Sequence, residues 1–136
     1  MDLMASMKIA AAGLRAQGGR MRVIAENLAN ANSTAKTPGG EPYRRKIPTF
    51  TQHFNRELGL KTVSLGRIKF DQSEFGKRYE PGHPAADTKG YVQLPNVNSL
   101  VEGMDMREAQ RSYEANLNVI GATRRMLART LEILRV

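Results

Sequence analysis

"ENLANANSTAKTPGGEPYRRK", residues 26–46, decides how this chain is divided. Three asparagines, Asn27, Asn30 and Asn32, close an apolar-periodic segment. A run of small residues, the Pro38-Gly39-Gly40 break and the basic cluster Arg44-Arg45-Lys46 follow in that order. The order predicts a helix that ends in amides near residue 31, then a charged loop, because a Pro-Gly-Gly run interrupts any regular element.

Working outward toward the N-terminus, residues 3–31 read as one helix. Met7, Leu14, Met21 and Leu28 recur at seven-residue spacing, Ile24 takes the companion position, and Ala10 and Ala25 lie nearby. That is the a/d pattern of helices that pair. Gly13, Gly18 and Gly19 interrupt it, each at about 1 kcal/mol against alanine in a helix interior, so this helix is expected to be weak alone.

Toward the C-terminus, residues 97–135 predict a longer helix. Met106, Tyr113, Ile120, Leu127 and Leu134 repeat every seven residues, with Leu117 and Leu131 flanking. Ser99 and Glu102 have capping-box spacing, and Asn96 and Asn98 are alternative N-caps. Arg124, Arg125 and Arg129 load its last turns with positive charge, which suits the helix dipole. At the α-helical rise it would run to roughly 55–60 Å, too long for a compact domain of this mass. The broad apolar stripes on both helices suggest more than one packing partner each, which points to assembly.

Residues 38–95 hold all six prolines. Ile47 to Phe54, Thr62 to Leu65 with Ile68 and Phe70, and Tyr91 to Leu94 read as short strands between breaks. The expected fold is therefore α+β: long terminal helices paired as a coiled-coil-like stalk, with a small β-rich middle module. The expected divisions are 1–37, 38–95 and 96–136.

Composition limits the function classes. The chain has 136 residues and a formal charge of +8, enough for one modest domain or a small domain with extended arms, and compatible with anionic partners. With no cysteine, a disulfide framework and Cys-based metal sites are excluded. His83 and Asp87 resemble two members of a metal or acid-base site, but a third partner is missing, and a Pro-flanked turn is the plainer reading. Arg44, Arg45 and Lys46 beside Tyr43 could touch phosphates, which keeps a basic nucleic-acid-associated protein as the alternative function. Single-strand binders, however, interleave several aromatics along a basic groove, and no helix-turn-helix or zinc pattern is present. The N-terminal apolar run, Ile9 to Leu14, is too short for a secretory h-region, and no segment has the ~20 apolar residues of a membrane span. These rules alone predict a cytosolic chain unless another export route reads it.

Four motifs in order then carry a resemblance that runs from end to end. "MRVIAENLANANST" (21–34) is similar to the N-terminal signature of the axial proteins of the bacterial flagellum, the rod, hook and hook-associated subunits. "PYRRK" (42–46), "PGHPAADTKGYVQLPNVN" (81–98) and "RSYEANLNVI" (111–120) resemble the proximal-rod branch of that family. The insertion of Ala35 to Pro42 fits that branch, whereas Gly103 within Glu102-Gly103-Met104 departs from it and questions the helix there. The resemblance implies a structural subunit of the basal-body proximal rod, not an enzyme, with no catalytic residues, metal or cofactor. Its terminal helices would form the inner layer of a helical tube and its middle module would pack outside. The subunit would leave by the flagellar type III export apparatus without a cleavable signal and reach the periplasm-spanning rod. That rod transmits torque and passes later subunits. Implied partners are other copies, other rod proteins and the MS-ring junction at the rod base, with no nucleic acid and no membrane span. The expected assembly residues are Met7, Leu14, Met21, Ile24, Asn27, Leu28 and Asn30 on the first helix, and Tyr43, Arg44 and Arg45 in the loop. On the last helix they are Met106, Tyr113, Asn116, Leu117, Ile120, Leu127 and Leu131. Amides between packed helices can fix register; the plainer role for Asn30 or Asn32 is a C-terminal cap.

Overall fold

A computed structural model describes residues 2–135; Met1 and Val136, the outermost residues of the expected terminal segments, lie outside the described residues. The elements in chain order are α1 (Leu3–Ala29), β1 (Lys46–Ile47), β2 (Phe50–Asn55), β3 (Leu60–Leu65), β4 (Lys69–Phe70), β5 (Gly76–Tyr79), β6 (Tyr91–Leu94) and α2 (Ser99–Leu134). Two long helices pack against each other, and the strands between them form three separate antiparallel pairs, β1–β4, β2–β3 and β5–β6. The fold is α+β, as expected.

The helix ends follow from side chains that satisfy orphan backbone groups. Asp2 caps α1, its carboxylate accepting the Met4 N–H at 2.9 Å. Asn30 closes it: the side-chain amide donates to the Glu26 carbonyl at 2.9 Å, and Ser33 Oγ donates to Asn30 Oδ1 at 3.0 Å. Asn30 thus takes the capping role, and the helix stops at Ala29, two residues short of the expected end. For α2 the cap is Asn98, whose Oδ1 accepts the N–H groups of Leu100 and Val101 at 3.1 and 3.3 Å. The Ser99–Glu102 capping box does not form, because the Glu102 carboxylate is engaged by Arg45 and Asn27 instead. Gly103 does not break α2, which runs through it.

The expected strand from Ile47 to Phe54 is two strands. Pro48 has no N–H to donate and separates β1 from β2. Thr49 instead bridges the base of the next hairpin, its carbonyl accepting the Gly66 N–H at 2.6 Å. In that hairpin Phe50 pairs with Leu65 and Asn55 with Leu60. Asn55 Oδ1 accepts the Glu57 and Leu58 N–H groups, and Gly59 supplies the positive φ of 63° that the turn requires. β5 has no counterpart in the sequence reading, since all four of its residues are exposed and carry no alternation.

The chain divides into two compact units. One comprises Met1–Met21, Thr49–Arg67 and Arg107–Val136; the other comprises Arg22–Pro48 and Ile68–Met106. Each helix contributes to both. Among the described residues of the first unit, the buried ones are small: Ala5, Ala10, Ala12, Gly13 and Ala16 on α1, with Ala109 and Thr123 on α2. Leu65 seats the β2–β3 hairpin on α1, where a Cβ added to Gly19 would lie 2.8 Å from Leu65 Cδ2. A two-stranded hairpin is marginal by itself, so this seat matters. In the second unit the largest fully buried side chains are Ile24, Val92, Glu102 and Asn27. Two of those four are polar, which makes their hydrogen bonding the question.

Candidate functional site

Asn27 is fully buried, and every hydrogen-bonding position of its amide is filled. Oδ1 accepts the Tyr43 hydroxyl at 2.8 Å and the Lys46 N–H at 2.9 Å. Nδ2 donates to the Lys46 carbonyl at 2.8 Å and to Glu102 Oε2 at 3.2 Å. One side chain on α1 therefore pairs with both backbone groups of Lys46, as a neighbouring strand would, while the flanking Arg45 carbonyl accepts the Asp71 N–H beside β4. Asn96 acts one residue earlier, as a bridge between Arg45 and Asp71. Its Oδ1 accepts the Arg45 N–H at 2.7 Å, and its Nδ2 donates to the Asp71 carbonyl at 3.0 Å.

The basic cluster is held by acids of its own chain. The Arg45 guanidinium hydrogen-bonds the buried Glu102 carboxylate and also meets Asp71 at 3.4 Å and Asp105 at 3.9 Å. Lys46 Nζ pairs with Glu26. Arg44 donates to the Asp71 carbonyl at 2.9 Å and stands 4.3 Å over the Phe75 ring. Charges so engaged are poor phosphate grips, which removes the main support for a nucleic-acid interface.

The electrostatics agree with this geometry. Burial pushes the Tyr43 hydroxyl up to about 12, helped by the negative charges of Glu26 and Glu102. Burial alone would lower the Arg45 guanidinium, but its hydrogen bond and charge pairing with Glu102, then Asp71, hold it above its usual value. Asp71 is held below the usual carboxylate range, first by hydrogen bonds from Ser73 and then by Arg45.

In the first unit the helices meet through small groups. Gly13 lies against Asn116, and the nearest atom to a Cβ at Gly18 is Tyr113 Cε2 at 4.0 Å. Arg20 and Glu108 pair at 3.6 Å. The covered line on α1 is Ala5, Ala12 and Ala16, while Met7, Leu14, Met21 and Leu28 lie half-buried beside it. Met106, Tyr113, Asn116, Ile120 and Leu127 are likewise half-buried on α2. Helices approach closely where the residues between them are small, so alanines and glycines occupy the contact and longer side chains splay to its edges. Leu117 and Leu131 point away, at 51% and 66% exposure. Ile24, by contrast, is fully buried.

A second apolar stripe on α2 was not anticipated. Val119, Met126 and Ile133 fall seven residues apart, and all three are exposed, by 46%, 56% and 74%. Ala122 takes the position between the first two, and Arg129 the position between the last two. Ile120 and Leu127 lie one residue along from this stripe, and a heptad drawn through them passes over the parallel register. Glu102, Asp71 and Asn96 were also missed as members of the polar junction. Their only sequence signal was an acid and amides bracketing the start of a helix.

His83 and Asp87 do not converge. His83 Nδ1 accepts the Ala85 N–H at 3.0 Å, and its Nε2 lies 3.2 Å from Thr34 Oγ1. Asp87 accepts the N–H groups of Lys89 and Tyr91, at 2.8 and 2.9 Å. Both organise turns. Among the described residues no three acidic or histidine side chains gather as a metal-binding group, and no helix is long and apolar enough to cross a membrane.

Comparison with known proteins is consistent across the chain. The family described as flagellar basal body rod FlgEFG protein C-terminal matches residues 88–133. The flagellar basal-body rod protein FlgC of Agrobacterium fabrum is 49% identical over 133 residues, covering 98% of this chain and 96% of that protein. That of Borreliella burgdorferi is 39% identical over 153 residues, covering 99% of each. The Bacillus subtilis protein of the same name is 39% identical over 143 residues, covering 94% of this chain and 95% of its own length.

Proposed function

Since the chain belongs to the FlgC family of flagellar basal-body rod proteins and is a structural subunit of the rod, we propose that its copies assemble through the outward faces of α1 and α2. The observation that carries this reading is the exposed heptad stripe Val119, Met126 and Ile133. An apolar a/d stripe on a helix is the surface that a second helix covers, and water is a poor permanent neighbour for it. In this reading the two terminal segments, 1–37 and 96–136, form the inner layer of a hollow helical shaft. The middle segment, 38–95, lies outside. Half-buried Met7, Leu14, Met21, Leu28, Met106, Tyr113, Ile120 and Leu127 frame the contact, and exposed Leu117 and Leu131 extend it.

The shaft transmits torque and passes exported subunits, and the protein catalyses nothing. It reaches the periplasm-spanning, proximal part of the rod by the flagellar type III apparatus. Its neighbours there are its own copies, the other rod proteins and the MS-ring junction.

The test is Met126→Asp, expressed in place of the natural protein. An unpaired charge buried in a helix contact costs several kcal/mol, enough to defeat a modest interface. The substituted chain should accumulate normally and keep its helix content as a free subunit, yet give no motility and no rods on electron microscopy of basal bodies. Wild-type motility would remove this stripe from the assembly surface.

A further inference from the structure

The second unit is cross-linked by polar side chains. Residues from five separate stretches meet at one junction: Asn27 near the end of α1, Tyr43 to Lys46 before β1, Asp71 after β4, Asn96 before α2 and Glu102 in its first turn. Asn27 and Glu102 are fully buried there. The loop between α1 and β1 is also closed on itself, the Ser33 carbonyl accepting the Tyr43 N–H at 3.0 Å. The outer end of α2 is the opposite case: of residues 124–135 all but the half-buried Leu127 are exposed. Buried amides and carboxylates with every position satisfied specify one arrangement and resist opening, whereas exposed helix ends with few apolar contacts open readily.

We infer that residues 22–48 and 68–106 form a latched body that is already folded in the free subunit, before any neighbour covers the helices, and that Asn27 is the positioning residue that holds the latch. The Asn27 amide is the one group that binds the loop backbone at Lys46, the Tyr43 hydroxyl and the Glu102 carboxylate together. Its removal takes a hydrogen-bond partner from the Lys46 N–H, the Lys46 carbonyl, the Tyr43 hydroxyl and Glu102 Oε2, all in a covered site. The body would enter assembly as a finished part, with the distal half of α2 ordering on contact. This inference concerns the subunit before assembly and does not depend on which face contacts which neighbour.

Amide hydrogen exchange on the full-length free subunit at low concentration tests it. In the natural protein, slow exchange is expected in 22–48 and 68–106, including the Lys46 and Glu102 amides, with fast exchange over 124–135. Asn27→Ala should accelerate exchange at least about tenfold in both 22–48 and 68–106 together, with 124–135 unchanged. If Asn27→Ala yields no soluble chain, Tyr43→Phe removes a single bond of the junction and should accelerate the same two segments at least about twofold. Exchange as fast in these segments as in 124–135 of the natural subunit overturns the inference. So does an acceleration confined to 22–48 in either variant.

Discussion

Gly13 faces Asn116 so closely that a Cβ at residue 13 would lie 2.8 Å from the Asn116 amide oxygen. Gly18, five residues along the same helix, has 4.0 Å to the nearest atom of Tyr113. Helix propensity treats the two glycines alike, and packing separates them. Gly18→Ala should stabilise the subunit by about 0.5–1 kcal/mol. Gly13→Ala should destabilise it by about 1–3 kcal/mol through overpacking. Combining Gly13→Ala with Asn116→Ala should recover most of that loss. Urea midpoints at an unchanged m-value read all three outcomes.

Glu102→Ala strips the Arg45 guanidinium of its buried partner and leaves an Asn27 N–H without an acceptor. Breaking a buried ion pair from one side costs about 3–5 kcal/mol. The Arg45 side chain keeps 22% of its exposure, so water recovers part of this, and a loss of about 2–3 kcal/mol is expected. Glu102→Gln keeps one acceptor and should lose less. Equal losses for the two variants would mean that the charge pairing contributes nothing.

Stability should fall at both ends of the pH scale for identifiable reasons. Tyr43 has its hydroxyl raised to about 12 from 10.0, so its contribution is complete below pH 10 and is lost as pH rises from there to about 12. Over that range the unfolded chain has released this proton and the folded one has not. Tyr43→Phe should flatten this part of the alkaline decline. Asp71 is lowered from 3.8, so its contribution is present above that value and lost as pH falls through the lower folded pKa. Asp71→Asn should therefore lose stability at pH 6 and show a shallower decline in acid. Thermal midpoints across the two ranges measure both effects.

Much of the fold was legible in spacing. Seven-residue repeats located both helices, the Pro-Gly breaks bounded the strands, and the amide cluster marked where α1 stops. What the repeats could not show is which stripe is covered within the chain and which is left for others. Ala5, Ala12 and Ala16 carry little hydropathy, so a count of large apolar residues passes over them, although small size is what lets helices meet. Glycines 13 and 19 read as flaws in a helix until Asn116 and Leu65 are seen to occupy the space they leave. The polar junction was illegible for a different reason. Asn27, Arg45, Asp71, Asn96 and Glu102 are far apart in the sequence, and no local rule links a helix-terminal amide to a carboxylate 75 residues later.

The absence of cysteine permits a direct measurement of which stripe is covered at each stage. A single cysteine introduced at residue 126 or 133 would be the only thiol in the chain, and both positions are exposed, Met126 by 56% and Ile133 by 74%. In the free subunit a thiol at either site should react with a maleimide at close to the rate of an unstructured peptide, since reactivity follows access once the pKa is ordinary. Ala16→Cys supplies the contrast. Residue 16 is only 2% exposed, so its thiol should react at least about tenfold more slowly, at the rate set by local opening. In isolated basal bodies the thiols at 126 and 133 should become as slow as the one at 16, because a covered helix stripe has no solvent path. Protection at 126 with free reaction at 133 would confine the contact to the inner turns of α2. Unchanged reactivity at both sites would show that the stripe stays open to solvent in the finished rod, and the contact surface would then have to be sought around Leu117 and Leu131.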